Sequence, residues 1–472
     1  MPHNLRRDLG TIESYAALLG ILIGAGIFKV TSDAWRLTGP SVILGYLVLA
    51  PAVLATSVAY SVFLSTPLGR EPGGEYTHIS RTFGGFGLAF VGSWLKIISY
   101  IGALAYQAVA FADYSRKLFG GRGNPMIIAV SVLVFFFLIH VAGVKWFGLI
   151  QVWMCAVLGV SLLVLVGPGL FAIRMENYQP FFTHGGRGFL AALPPIFFAY
   201  AGFEALAQTA GEVRDSTRRL PAIFVKGITA TMVIYLLMSV VAFGVLPASR
   251  LAGAEAPMAD AAARYLPFSA ATLVVIGAIM AITTSLNATM LVPSRVAIML
   301  TEDRLAPRWI GRVSAKTGTP IVGLTVTFAA ALILLLSGEV GLALNIAIFA
   351  LVILYFLHSI ALLVLPRMNP ALFGQVTVNV PLWLQRAMAA LSIGFMAALL
   401  TQLDLPTIKL ILFWAALGAL LYVSGRIASR NAPAVDQHGN PHQHAGGEEL
   451  HRQQARGEGE GDSGDALEIV HH

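Results

Sequence analysis

Charge is scarce in this chain. Of its 472 residues only 12% are Asp, Glu, Lys or Arg, about half the roughly 25% that a soluble domain carries. Cysteine is nearly missing as well: Cys155 stands alone in an apolar run, so no internal disulfide can form, and it is read as packing. No Walker-type phosphate loop occurs, which argues against a self-contained ATP-driven pump. The apolar segments offer no converging His, Asp or Glu ligands and no activated nucleophile at a common depth, which argues against an integral-membrane enzyme. His140 and His358 have no ligand-spaced neighbours and are read as packed or hydrogen-bonded, so neither a metal nor a cofactor is called for.

Apolar length, by contrast, is abundant. Hydrophobic residues make up 57% of the chain, and runs of about 18 or more, enough to cross a hydrocarbon core of roughly 30 Å, recur along it. They read as twelve spans, near 12–38, 41–65, 86–113, 126–143, 147–172, 189–211, 222–246, 269–300, 320–337, 341–365, 381–401 and 405–425. The first span lacks a small-residue cleavage site and is not read as a signal peptide. The expected fold class is therefore all-α integral membrane, multi-pass, in the lipid bilayer of the cell membrane.

An even number of spans puts both termini on one side. Counted from a cytoplasmic N-terminus, inner segments carry sixteen Lys or Arg, Arg70, Arg218 and Arg219 among them, against seven on outer loops such as those with Lys117 and Arg250. This distribution obeys the positive-inside rule, so both termini are expected to be cytoplasmic. The net charge of +7 is explained by these loops, and no nucleic-acid partner is implied. From Asn431 onward the balance is reversed, with eight acidic and two basic residues. That segment, with His438, His442 and His444, lacks the apolar content to fold and is read as a disordered tail rather than a metal site.

Two of the apolar runs are interrupted by small residues. The first interruption is Ile23-Gly24-Ala25-Gly26-Ile27-Phe28 and the second is Phe198-Ala199-Tyr200-Ala201-Gly202-Phe203-Glu204. Broken backbone at membrane depth is tolerated only where protein or a water-filled cavity satisfies its polar groups. Paired breaks in corresponding halves of a chain point to a transporter's binding site. A helix that stops near Ile23 and restarts near Ile27 would present N–H groups from about Ala25, Gly26 and Ile27 to a carboxylate. Carbonyls near Leu22 and at Phe198, Ala199 and Ala201 would suit an ammonium group. The competing reading is that Gly-x-Gly is a close helix-packing notch; the matched second break with Gly202 favours a zwitterion receptor built from backbone.

Ionisable groups inside spans suggest function by default. Glu204 is a candidate proton carrier, or else a hydrogen-bonded carboxyl holding the helix restart. Lys96 falls near mid-depth of the third span and needs a carboxylate, carbonyls or water. Lys29 and Asp33 are spaced for an i,i+4 pair, structural or lining a vestibule. Thr283, Thr284, Ser285 and Asn287 cluster in the eighth span. Thr284 and Ser285 are candidates for a small-cation site with carbonyls of the first break, or for bonds back to their own helix.

At these residues the chain resembles the amino acid–polyamine–organocation permeases, over roughly residues 5 to 425. The resemblance rests on Gly24–Phe28, on Glu71-Pro72-Gly73-Gly74-Glu75-Tyr76 with Phe83-Gly84, and on Phe198–Glu204. Gly211-Glu212-Val213, Arg219-Leu220-Pro221, Ser285-Leu286-Asn287-Ala288 and Arg295 complete it. The resemblance implies two inverted five-helix repeats with discontinuous helices 1 and 6, plus two additional helices. It divides the chain into a 1–11 terminus, repeats at 12–172 and 173–365, helices at 366–430 and the 431–472 tail. It also implies amino acid transport by alternating access, with Phe198 as an aromatic gate. Many members carry a lysine midway along span five, where this chain has Val157-Leu158-Gly159-Val160. Lys96 or Glu204 is therefore expected to supply any coupling charge. The apolar character of Leu22, Ala25, Phe198 and Ala201 points to a small neutral amino acid, moved by proton symport or exchange. An anionic amino acid, an amine or polyamine, or a non-transporting sensor on the same fold are the alternatives.

Overall fold

The computed structural model describes residue 7 and residues 9–431 apart from 252, 253, 255 and 308. The tail expected beyond Asn431 lies outside the described residues. The chain divides into a unit ending at Val423 and a second beginning at Ser424, of which only the end of a helix is described.

Long apolar runs without helix-breaking clusters become helices, and no described residue belongs to a β-strand. In chain order they are α1 (Thr11–Leu22), α2 (Thr31–Thr38), α3 (Val42–Leu64), α4 (Glu75–Phe83), α5 (Gly87–Leu118) and α6 (Pro125–Ala142). Next come α7 (Val144–Gly169), α8 (Gly185–Tyr200), α9 (Ala205–Gln208), α10 (Ser216–Val245), α11 (Ala248–Leu251) and α12 (Pro257–Tyr265). The remainder are α13 (Phe268–Glu302), α14 (Ile321–Ser337), α15 (Val340–Met368), α16 (Pro370–Phe373), α17 (Leu382–Leu400) and α18 (Leu405–Asn431). Among the described residues, eleven helical segments are long and apolar enough to cross a membrane. Helices occupy all twelve expected regions; α14, the ninth, is apolar but only 17 residues long.

Large apolar side chains face outward as well as inward. Trp153, Leu163, Ile333 and Phe413 are all more than 60% exposed, a surface suited to hydrocarbon rather than water. Inside, α5 packs along both α13 and α15, while α10 packs along α3. Small residues permit the closest of these contacts. A Cβ on Gly102 of α5 would stand 2.5 Å from the Ala343 carbonyl oxygen of α15, so glycine is required for the approach. On the N-terminal side, Leu9 pairs with Val213 in an isolated parallel bridge, its N–H donating to the Glu212 carbonyl at 3.1 Å.

One peripheral contact is reciprocal. The Trp94 indole of α5 donates to the Trp414 carbonyl of α18 at 2.7 Å, and the Trp414 indole donates to the Trp94 carbonyl at 2.8 Å. The two rings stack with centroids 4.3 Å apart. Trp94→Ala removes the stack and one hydrogen bond, and by analogy with large-to-small substitutions should cost about 3 kcal/mol. Limited proteolysis in detergent should then release fragments cut near residue 402 sooner than in the parent; equal cleavage rates would refute the role given to this pair.

Candidate functional site

The first break is narrower than the sequence suggests. Only Ile23 and Gly24 leave the helix, and the backbone resumes at Ala25 and widens into a π turn over Gly26–Val30. Ile23 N–H still donates to the Leu19 carbonyl at 2.7 Å, and Gly24 N–H reaches Leu22 at 2.9 Å. Ala25, Gly26 and Ile27 therefore sit in the first turn of the restarted helix. The glycines are needed for space. A Cβ on Gly24 would lie 2.3 Å from the Ser285 Cβ, and one on Gly26 would lie 2.5 Å from the Ala199 Cα. The two broken helices thus touch backbone to backbone at Gly26 and Ala199.

The second break needs its glycine for conformation. Helix α8 ends at Tyr200, Ala201 is extended, and Gly202 has φ of +107°, a value open to glycine at little cost. Glu204 stands at the N-cap position of the short restart α9 without a side-chain capping bond to it. Phe198 and Ala199, expected in the unwound segment, are instead in the last turn of α8, and Phe198's carbonyl accepts the Ala201 N–H at 3.0 Å. The expectation of exposed carbonyls at Leu22, Phe198 and Ala199 is corrected here. Tyr235 of α10 places its hydroxyl against the Leu22 carbonyl and 2.8 Å from that of Ala199. Its single proton serves one of them at a time. A carbonyl released from a helix in an apolar interior captures whatever donor is within reach.

Between the breaks lies a cavity of about 30 Å³, room for one or two waters. Of the substrate-binding candidates, Leu22, Gly26, Phe198, Ala201 and Gly202 line it, together with Ser285, a cation-site candidate. Ile23, Gly24, Ala25, Ile27 and Ala199 are buried around the breaks without lining it. The remaining wall was not anticipated: Ile21, Ser99, Tyr100, Ala103, Gln107, Thr289 and Leu351. Ser99, Ala103 and Gln107 follow one another at four-residue steps along α5, a polar and small stripe in an apolar span that the sequence does display. Gln107 donates to Ser285 Oγ at 2.9 Å, and Tyr106 meets Phe198 edge-on at 6.3 Å.

Thr284 and Ser285 bond to carbonyls. Thr284 donates to Gly20 at 2.9 Å and to Ala281 of its own helix at 2.7 Å, and Ser285 donates to Ile21 at 3.1 Å. The first arm of the break is thereby stitched to α13. The α7 residues that face it are Gln151 and Cys155, earlier in the helix than the Val157–Val160 stretch. Gln151 Nε2 reaches the Ala16 and Thr284 carbonyls at 3.3 and 3.2 Å, and Cys155 Sγ reaches Ala16 at 3.3 Å. Thr283 bonds back to Ile279, and Asn287 donates to Gln151 Oε1 at 2.9 Å.

The three ionisable candidates stand outside the cavity. Glu204, fully buried, accepts hydrogen bonds from Tyr100 at 2.7 Å, from the Gly202 N–H at 3.0 Å and from Tyr355. Lys96, also buried, pairs with Glu75 at 2.7 Å. Glu75 accepts in addition from Tyr60 and from Gln208 Nε2 at 2.7 Å. The Lys96 ammonium lies 5.6 Å from the Tyr100 ring centroid, so one tyrosine adjoins both the Lys96–Glu75 pair and Glu204. Lys29 pairs with Asp113 at 2.7 Å rather than with Asp33, whose carboxylate accepts from Tyr106 at 3.1 Å. The i,i+4 pair gives way because α5 brings a second carboxylate within reach. His140 bonds to the Asn287 carbonyl at 2.9 Å, and His358 to His78 at 3.0 Å.

Residues 9–422 match the profile of the family described as amino acid permease. A branched-chain amino acid permease of Bacillus subtilis is 25% identical, with 89% of this chain and 93% of that protein aligned. A methylthioribose transporter of the same organism is 26% identical over the same shares. A chloroplastic cationic amino acid transporter of Arabidopsis thaliana is 28% identical over 66% of this chain and 58% of its own length.

Tyr235→Phe keeps the ring and removes the donor shared by the Leu22 and Ala199 carbonyls. Leaving buried acceptors short is expected to cost about 1–3 kcal/mol, seen as a lower melting temperature in detergent. A melting temperature equal to the parent's would show that another donor satisfies these carbonyls.

Proposed function

The chain belongs to the amino acid permease family, a family of multi-pass membrane transporters, and on that premise we propose that it is a secondary active carrier of a small neutral amino acid. The observation that carries this reading is the cavity between the two breaks. Its walls are apolar side chains, hydroxyls, an amide and backbone, with no charged side chain among them. A substrate side chain bearing a charge would meet no counter-ion there and would keep its desolvation cost. The glutamine, serine and threonine on one wall offer hydrogen bonds to the substrate's own carboxylate and ammonium.

The cavity is too small for an amino acid as it stands, which fits a contracted state of an alternating-access cycle. In this reading the chain crosses the cell membrane twelve times with both termini in the cytoplasm. Spans one to five and six to ten form inverted repeats, and the broken helices rock around the site. Phe198, edge-on to Tyr106, closes it on one side. The relatives named for branched-chain and cationic amino acids and for methylthioribose span several substrate classes. The uncharged wall favours the first of these for this chain.

Coupling is assigned to Glu204 and Lys96, because the α7 residues beside the first arm, Gln151 and Cys155, include neither a lysine nor a carboxylate. A proton arriving at Glu204 would weaken its bonds from Tyr100, Tyr355 and Gly202, and so loosen the second break. Exchange of one amino acid for another would use the same site without that step.

Uptake of a panel of labelled amino acids into proteoliposomes tests the reading, with an inward proton gradient in one set and unlabelled substrate preloaded in the other. Saturable accumulation of neutral amino acids is expected. Binding without accumulation in either set would instead mark a sensor. Phe198→Ala should weaken the apparent affinity about tenfold, equivalent to ~1.4 kcal/mol. Glu204→Gln and Lys96→Met should abolish any pH dependence of uptake; a pH profile unchanged in both variants would remove these residues from the coupling step.

A further inference from the structure

The start of α10 borders a basic cavity that the transport reading leaves unused. Its volume is about 550 Å³, and it gathers Arg7, Arg70, Arg218 and Arg219 around one carboxylate, Asp215. Arg219 is committed locally, donating to Asp215 at 3.0 Å and to Thr11 at 3.1 Å. Arg7, Arg70 and Arg218 are exposed, and no carboxylate among the described residues pairs with their guanidinium groups. Among the described residues the positive charge is therefore largely uncompensated.

Two further features make this more than a surface cluster. Asp215 stands at the N-cap of α10 with φ of 50° but makes no side-chain cap, its carboxylate being drawn to Arg219. The next residue, Ser216, lines the same cavity with only 2% of its surface exposed, and its hydroxyl has no hydrogen-bond partner. An unpartnered buried hydroxyl at an uncapped helix start, ringed by guanidinium groups, offers the donor set that phosphate oxygens take.

The cavity also continues. A second one of about 670 Å³ shares Thr217 and Arg218 with it and runs between apolar walls that include Val58, Pro221, Val225 and Val378. Helix α10, long and apolar enough to cross a membrane, begins at Ser216, so the basic cavity lies at its start and the apolar one runs along it. We propose that the two cavities together hold one anionic phospholipid. The phosphate sits among Arg7, Arg70, Arg218 and Ser216 at the helix start, and an acyl chain lies in the groove against Val225. The matching of charge to headgroup and of apolar wall to chain favours a lipid over a soluble phosphate, which would leave the groove empty. This assignment does not depend on which substrate the protein carries, because it is read by binding.

The test uses the full-length chain purified in neutral detergent and titrated separately with phosphatidylglycerol, phosphatidylcholine and inorganic phosphate. Retained lipid is counted by native mass spectrometry, and stability is followed by thermal melting. Phosphatidylglycerol is expected to be retained about tenfold more tightly than phosphatidylcholine. The double variant Arg70→Gln/Arg218→Gln should erase that preference, and Val225→Asp should reduce retention of both lipids. If the double variant does not fold, Arg70→Gln alone, an exposed change, gives a partial loss of the same preference. Equal retention of the two lipids, or a preference that survives the arginine changes, overturns the proposal. Displacement of phosphatidylglycerol by excess inorganic phosphate, with Val225→Asp without effect, would assign the site to a soluble phosphate and likewise overturn it.

Discussion

A backbone carbonyl or N–H set loose from its helix inside a membrane has no water to turn to, and this constraint organises the centre of the molecule. Backbone groups at both breaks are held by side chains from other helices. Thr284 and Ser285 of α13 take the Gly20 and Ile21 carbonyls, Tyr235 of α10 serves Leu22 and Ala199, and the Tyr355 hydroxyl of α15 meets the Gly202 N–H at 3.3 Å, beside Glu204 of the break itself. These partners lie on helices that pack around α1 and α8, so the site and the bundle are stabilised by the same contacts. The glycines act in two ways. Gly24 and Gly26 let helices touch, and Gly202 turns the chain.

The buried charges obey a related rule. A charge in an apolar interior persists only when paired and hydrogen-bonded. Lys96 meets Glu75, which is shared with Tyr60 and Gln208, and Glu204 is enclosed by Tyr100, Tyr355 and backbone. None of the ionisable three, Lys96, Glu75 and Glu204, lines the cavity. The wall of the cavity is thus kept neutral while charge lies one layer behind it, with Tyr100 belonging to both layers.

Local features of the fold and site were legible in the sequence where they have local causes. Apolar runs mark the helices, and Gly24, Gly26 and Gly202 mark the breaks within a few residues, because a missing side chain acts where it stands. Partners distant in sequence were not legible. Nothing near Leu22 announces Tyr235, and Glu75 stands in a glycine-rich loop motif whose spacing says nothing of Lys96. Lys29 has a plausible neighbour in Asp33, yet α5 supplies Asp113. The α5 stripe of Ser99, Ala103 and Gln107 is visible in the sequence but does not stand out, because a few polar residues in a long apolar helix resemble ordinary back-bonded hydroxyls.

The Tyr235 hydroxyl has a consequence for motion. It carries one proton and stands before two acceptors, one on each broken helix. Were either helix to move away, the donor would be left with the other acceptor, so the departure would strand no hydroxyl and its cost would fall on a single carbonyl. Two arrangements that trade one hydrogen bond for an equivalent one differ little in energy. In the alternating-access cycle proposed above, a phenol placed in this way would act as a balance arm, keeping opposite conformations close to level so that a small load on either side could tip them.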